Sequence, residues 1–354
     1  MRRESLAPVA VGLVLSGALS GCAASDLASA IDAEIRKGKT PLALPGSHVL
    51  IPFSSETPLG RNGELDQVGK KRWHAELAPQ QCFEAAWKVH SKLARNLTTL
   101  NEWNRGISVS IKGAGGKVQQ RGKINVSLRH VRADDGYVLP IPNAGCDLKK
   151  PWPVVDRAVF AESAEFEVMR GFQAELKGPK VISKVVPVVP SGGSKNETKY
   201  EARDVFVIVR LNRYTGSVSD LPSIDLGGAS EVGKTYDLIP DQDVTLRVVG
   251  FDGVNERLQI AVDAPGTAMA GEAVAPFVKP GETLELAEQG QWGGVVLPGG
   301  RRGIHLRWKG DTGNVVVDAR LVESQQVPTD LENEKELLSL PERPGVVGAD
   351  MDPM

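Results

Sequence analysis

Eight consecutive residues, Gly228-Ala229-Ser230-Glu231-Val232-Gly233-Lys234-Thr235, fit the phosphate-loop pattern G-x-x-x-x-G-K-[ST] letter for letter. In a working loop of that kind, backbone N–H groups cradle phosphates, the Lys reaches the β- and γ-phosphates, and the Thr binds Mg²⁺. The chemistry needs a buried strand before the loop and a helix starting at the Lys-Thr pair. Here Leu221-Pro222-Ser223-Ile224-Asp225-Leu226 is a weak strand, and Tyr236–Ile239 run into Pro240, which leaves no room for a helix. The run reads as a loop, and no nucleotide is expected. The histidines His48, His74, His90, His130 and His305 are dispersed, without the H-x-x-x-H or H-E-x-x-H spacing of a local zinc motif. His74 and Glu76 form the one close acid–base pair. They follow Lys70-Lys71-Arg72-Trp73, and a solvated approach to a helix suits them better than a catalytic dyad. Neither G-x-S-x-G nor S-x-x-K occurs, so the common serine-acylation signatures are missing. Asp237, Asp241, Asp243 and Asp252 put oxygen donors around two turns, at a spacing unlike an EF-hand. No catalytic residue, metal or cofactor is assigned.

The cysteines are more informative. Cys82 and Cys146 stand outside any C-x-x-C, which argues against thiol redox chemistry and zinc. An even pair in an exported chain suggests one disulfide closing a loop of about sixty residues. Cys22 has a different setting. Arg2 and Arg3 form a short positive region, residues 6–20 are an apolar stretch too short to span a bilayer comfortably, and Leu19-Ser20-Gly21-Cys22 follows. This layout resembles the lipobox of bacterial lipoprotein precursors. The resemblance covers the leader alone. It implies cleavage before Cys22, a thioether-linked diacylglycerol on its sulfur and a further acyl chain on its freed amine. Two or more chains anchor durably where one binds marginally. Ala23 stands where an Asp would favour retention in the inner membrane, so the resemblance implies outer-membrane sorting in a cell that has one.

The elements that must carry these residues divide the chain as follows: 1–21 signal peptide, 22–44 lipidated tether, 45–190 an α+β domain, 191–200 a linker, 201–322 a β-sandwich-like domain, and 323–354 an acidic tail. Leu27, Ile31 and Ile35 at four-residue steps suggest a short helix in the tether. The spacing of Cys82, Ala86, Val89, Leu93, Leu97 and Leu100 predicts an amphipathic helix over 79–104, packed on a sheet, with Pro79 in its first turn and Gly106 as its stop. From Ile107 the period changes to two, and 107–131 reads as a hairpin around Gly113–Gly116. Residues 158–176 mildly favour strand. The Pro-, Ser- and Gly-rich run 190–200 marks a boundary. Beyond it, 203–212, 243–251, 256–263, 282–287, 303–309 and 314–322 read as short strands separated by turn signals, which suggests a sandwich. The tail holds eight acidic residues against two basic, with four Pro, and is expected to be disordered or to fold on a partner.

Composition bounds the function. Apolar residues make up 41% and charged residues 24%, which argues against wholesale disorder and against a multi-span membrane protein. Forty-two basic against 44 acidic residues leave no general footprint for nucleic acid. The resulting expectation is a lipid-anchored envelope protein with a non-enzymatic scaffold, assembly or adhesion role among envelope protein partners. The alternative is a glycan-binding module or a polysaccharide-acting enzyme, with Trp152, Trp292 and Trp308 stacking on sugar rings; it needs those rings on one exposed face beside a carboxylate pair. A third reading, solute or metal delivery, needs a closed cleft between domains.

Overall fold

A computed structural model describes residues 30–31, 46–67, 73–90, 102–112, 118–169, 189–192, 197–227, 232–267, 269–287, 290, 292–311 and 313–328. Its amino-terminal part carries β1 (Ser47–Ser54), β2 (Gly63–Gln67), β3 (Trp73–Leu77), β4 (Phe83–His90), β5 (Glu102–Lys112), β6 (Val118–Pro140), β7 (Trp152–Met169), β8 (Val189–Gly192) and β9 (Glu197–Asp220). There follow β10 (Ile224–Asp225), β11 (Thr235–Ile239), β12 (Val244–Asp252), β13 (Arg257–Asp263), β14 (Glu272–Ala273), β15 (Phe277–Val278), β16 (Thr283–Ala287), β17 (Gly293–Val296), β18 (Arg302–Asp311) and β19 (Asn314–Gln326).

This overturns the α+β expectation. The segment read as an amphipathic helix over 79–104 holds β4 and the start of β5, with 91–101 outside the described residues. No helix-on-sheet domain exists among the described residues. The physical reason lies in β4. Cys82, Phe83, Ala85, Ala86 and Trp87 are all buried, because both faces of the strand are covered and the ladder is irregular between Ala85 and Trp87. A strand covered on both faces loses its period of two, and its apolar run then matches three- and four-residue steps by accident. The hairpin expected over 107–131 is present as β5 and β6, paired from Glu102↔Arg129 to Lys112↔Val118, with 113–117 outside the described residues. β8 and β9 occupy much of the segment read as a linker, and β19 continues to Gln326.

β9 organises the sheet. One edge pairs with β7 from Trp152↔Tyr214 to Met169↔Glu197. The other edge takes β8, then β1, then β19. Strands this long must bend, and three of them bend together. His130 on β6 and Asp204 on β9 have φ of 49° and 51°, and Glu162 on β7 lies between them in the same register. Each strand spends one extra residue there. Buried positions accordingly switch from even numbers (Ile124, Val126, Leu128) to odd ones (Val131, Ala133) along β6, and Tyr200 and Ala202 give way to Val205 and Val207 along β9. On the solvated side the ladder is held by cross-strand pairs, among them Lys199–Glu167 at 3.2 Å and Asn125–Glu167 at 3.0 Å.

The carboxyl-terminal part is a sandwich. β11, β12, β13 and β16 form one sheet, which packs on the β10–β19–β18–β17 part of the large sheet. Leu246, Leu258, Ile260, Ile304, Leu306, Trp308 and Val317 fill the space between, each contributing roughly 1.5–3 kcal/mol by leaving water. The opposite face of β17–β19 is also buried, against β4 and β6, through Ala86, Leu139, Val296 and Val322. The connection between β13 and β16, residues 264–282, is a strap. Its β14 pairs with β4 and its β15 pairs with β17. The strap joins the two ends of the path β4-β6-β7-β9-β19-β18-β17, so the path closes into a ring through this connection, with no ladder between β14 and β15 among the described residues.

Candidate functional site

One row of directly opposed residues crosses the ring wall. Asp220 on β9 faces Arg320 on β19, Arg320 faces His305 on β18, His305 faces Gly294 on β17, and Gly294 faces Phe277 on the strap. Gly294 is required here: a Cβ at that position would lie 2.4 Å from the Phe277 ring. The ring instead meets His305 edge-on, with centroids 5.0 Å apart. Trp292 completes the surroundings. Its centroid is 6.4 Å from that of His305, and the guanidinium carbons of Arg307 and Arg320 each sit 4.8 Å from its centroid. Strap hydrogen bonds from Trp87 Nε1 to the Ala270 carbonyl and from Val274 N to the Ala86 carbonyl hold the cover down.

Glu84 of β4 reaches His305 across the ring, Oε1 to Nε2 at 3.6 Å, beyond hydrogen-bond range. The His305 side chain is 2% exposed, and neither ring nitrogen has a hydrogen-bond partner among the described residues. Burial drives both groups toward neutrality. It pushes the Glu84 carboxyl up to about 7. It also brings the His305 imidazole down to about 4, helped by the nearby Arg320. The dyad therefore keeps one proton, on Glu84, through the mildly acidic range.

A second ionic cluster clamps the sheet. Asp156 stands at an irregularity in the β7–β9 ladder. It accepts hydrogen bonds from Arg210 Nε (2.8 Å) and Nη2 (3.0 Å), Asn212 Nδ2 (2.6 Å) and the Tyr214 hydroxyl (3.0 Å). Burial, then the Asp156 charge, pushes the Tyr214 hydroxyl up, so it stays a donor. Arg157 bonds Asp135 alongside. The cluster is fully paired, as buried charge requires.

Beside the row lies a groove of about 250 Å³, walled by the loop from Ile141 to Leu148 and floored by Val218, Asp220 and Arg320. The loop is fixed at several points. Cys146 is disulfide-bonded to Cys82, as the cysteine parity suggested. Ile141 N donates to the Cys82 carbonyl, and Gly216 N to the Leu148 carbonyl.

The residues singled out in the sequence fall into different places. Cys22 and Ala23 lie outside the described residues. So do Gly228–Glu231, and β11 begins at Thr235, where a phosphate loop would need a helix. His74 and Glu76 sit two apart on β3, on one face, with Nε2 and Oε1 3.0 Å apart; His74 is buried, so the solvated helix approach is corrected to a strand packed inside. Asp252 accepts hydrogen bonds from Val254 N, Asn255 N and Asn255 Nδ2 of its own turn. Among the described residues no group of three or more His, Cys, Asp or Glu is placed to hold a metal ion. Trp308 is in the sandwich core, Trp152 donates to the Asp147 carbonyl, and Trp292 is engaged by two arginines. Glu84 and Arg320 carried no signal in the sequence, and His305 was only one of five scattered histidines. Compared with protein-family models, with curated proteins and with solved structures, the chain matches none.

Proposed function

We propose that the protein is a lipid-anchored component of a bacterial envelope that serves as a non-enzymatic scaffold or assembly element in a membrane-associated complex. The observation that carries this reading is the tripartite leader ending in Leu19-Ser20-Gly21-Cys22. The fold is consistent with it. A closed ring of strands backed by a sandwich offers a stiff body, and the first described strand begins at Ser47, some two dozen residues beyond Cys22. The three tryptophans needed for a sugar-stacking platform are separately employed, which favours the scaffold over the glycan reading.

The test is a comparison of wild type with Cys22→Ser by membrane fractionation and intact mass. The wild-type protein is expected in the membrane fraction with a mass increment of two or three acyl chains, and the variant without that increment, held in the membrane fraction only where its apolar leader stays uncleaved. A wild-type protein free of acyl groups, with a variant that still sediments with membranes, rejects the anchor. Affinity capture of the tagged wild-type protein from detergent-solubilised envelopes then tests the scaffold role. A stoichiometric complex supports it, and recovery of the protein alone counts against it.

A further inference from the structure

The geometry points to Arg320 as the anchor of a binding site for a carboxylate-bearing small molecule, seated in the groove between the disulfide-pinned loop 141–148 and the end of β9. Arg320 and its counter-ion are unequally placed. The Arg320 side chain is 22% exposed, whereas Asp220, whose Oδ1 lies 2.8 Å from Arg320 Nε, is 81% exposed. A largely buried guanidinium needs an anion. An exposed carboxylate on a solvated strand end gives up such a pairing at small cost. A ligand carboxylate can therefore take the place that Asp220 holds.

The rest of the groove fits a ligand of that kind. The Arg320 guanidinium carbon lies 4.8 Å from the Trp292 ring centroid, a contact that restrains the side chain, and its planar fork of donors suits a carboxylate accepting two parallel hydrogen bonds. Ile141, Leu148 and Val218 supply apolar walls, and Asn143 a polar side chain. The volume of about 250 Å³ lies just below the usual range of ligand pockets and leaves room for one small molecule only. The disulfide and the loop hydrogen bonds fix the wall in advance, which lowers the ordering cost of binding. Charge selects a monoanion over a phosphate dianion. On the same strand face Arg307 and Lys309 share Asp318, at 3.5 and 3.8 Å, so the neighbourhood carries only a small positive excess once Asp220 is included.

The experiment is calorimetric titration of the full mature chain with glucuronate, with glucose as its neutral counterpart and inorganic phosphate as the competing anion. Wild type is expected to bind glucuronate in the low millimolar range and glucose not at all. Asp220→Asn removes the competing carboxylate from an exposed position and is expected to tighten glucuronate binding by about three- to fivefold. Arg320→Gln is expected to abolish it. Absence of glucuronate binding to both wild type and Asp220→Asn overturns the proposal, as does an Asp220→Asn variant that binds no more tightly than wild type. Equal binding of glucose, or phosphate binding as tight as glucuronate, overturns the assignment of ligand class. The Asp220→Asn arm stands by itself if Arg320→Gln does not fold.

Discussion

Glu84 and His305 titrate in opposite senses, and the consequence is measurable. Glu84, raised from 4.5 to about 7 in the fold, contributes stability that is complete below pH 4.5 and lost as pH rises through 7. His305, lowered from 6.5 to about 4, contributes stability that is complete above pH 6.5 and lost as pH falls through 4. In the overlap each state of the chain holds one proton on the pair, on Glu84 when folded and on His305 when unfolded, so the two contributions nearly cancel. Single substitutions uncover them. Relative to wild type, Glu84→Gln should gain stability as pH rises from 4.5 to 7, and His305→Gln should lose it from 4 to 6.5. Each swing should be on the order of 2–3 kcal/mol in urea midpoints taken across pH. Parallel curves for wild type and both variants would refute the dyad. At the same scale, Asp156→Ala strips Arg210, Asn212 and Tyr214 of their common acceptor and should cost about 3–5 kcal/mol by the same measurement.

Among the elements, the disulfide has the clearest energetic role. Cys82 and Cys146 are 64 residues apart, and loop-closure entropy puts their link at about 4 kcal/mol. The double variant Cys82→Ser/Cys146→Ser should lower unfolding stability by up to that amount in urea titration, and it should loosen the wall of the Arg320 groove. What the sequence disclosed of the elements follows burial. β12, β13, β18 and β19 have one face in the sandwich, and their runs at 243–251, 256–263, 303–309 and 314–322 were readable from alternation and turns. β4 was not, because Phe83, Ala85, Ala86 and Trp87 face different clusters with no solvated side between them. The candidate site was hidden for a related reason. His305 alternates with Ile304 and Leu306 and reads as a solvent-facing position, yet the strap and β4 cover that side. The row from Asp220 to Phe277 draws on five strands, and no local spacing encodes a register across five strands.

At the scale of the whole molecule, the boundary drawn near 191–200 does not separate the ladders. β7 pairs across it with residues 197–214 of β9, and the strap ties β4 to β17 over some two hundred residues of chain. Fragments 22–192 and 197–354 should each fail to give the native signal, whereas the intact mature chain should melt in one transition followed alike by far-ultraviolet circular dichroism and tryptophan fluorescence. Independent folding of either fragment would contradict the closed ring. The shared bend at His130, Glu162 and Asp204 places a different constraint on the molecule. Deleting one of the three residues shifts one strand against its neighbours and turns its side chains to the wrong faces. Deleting all three restores the match, so the triple deletion should be milder than any of the singles. A lineage could shorten or lengthen these strands there only in concert, and the intermediates would lie in a fitness valley.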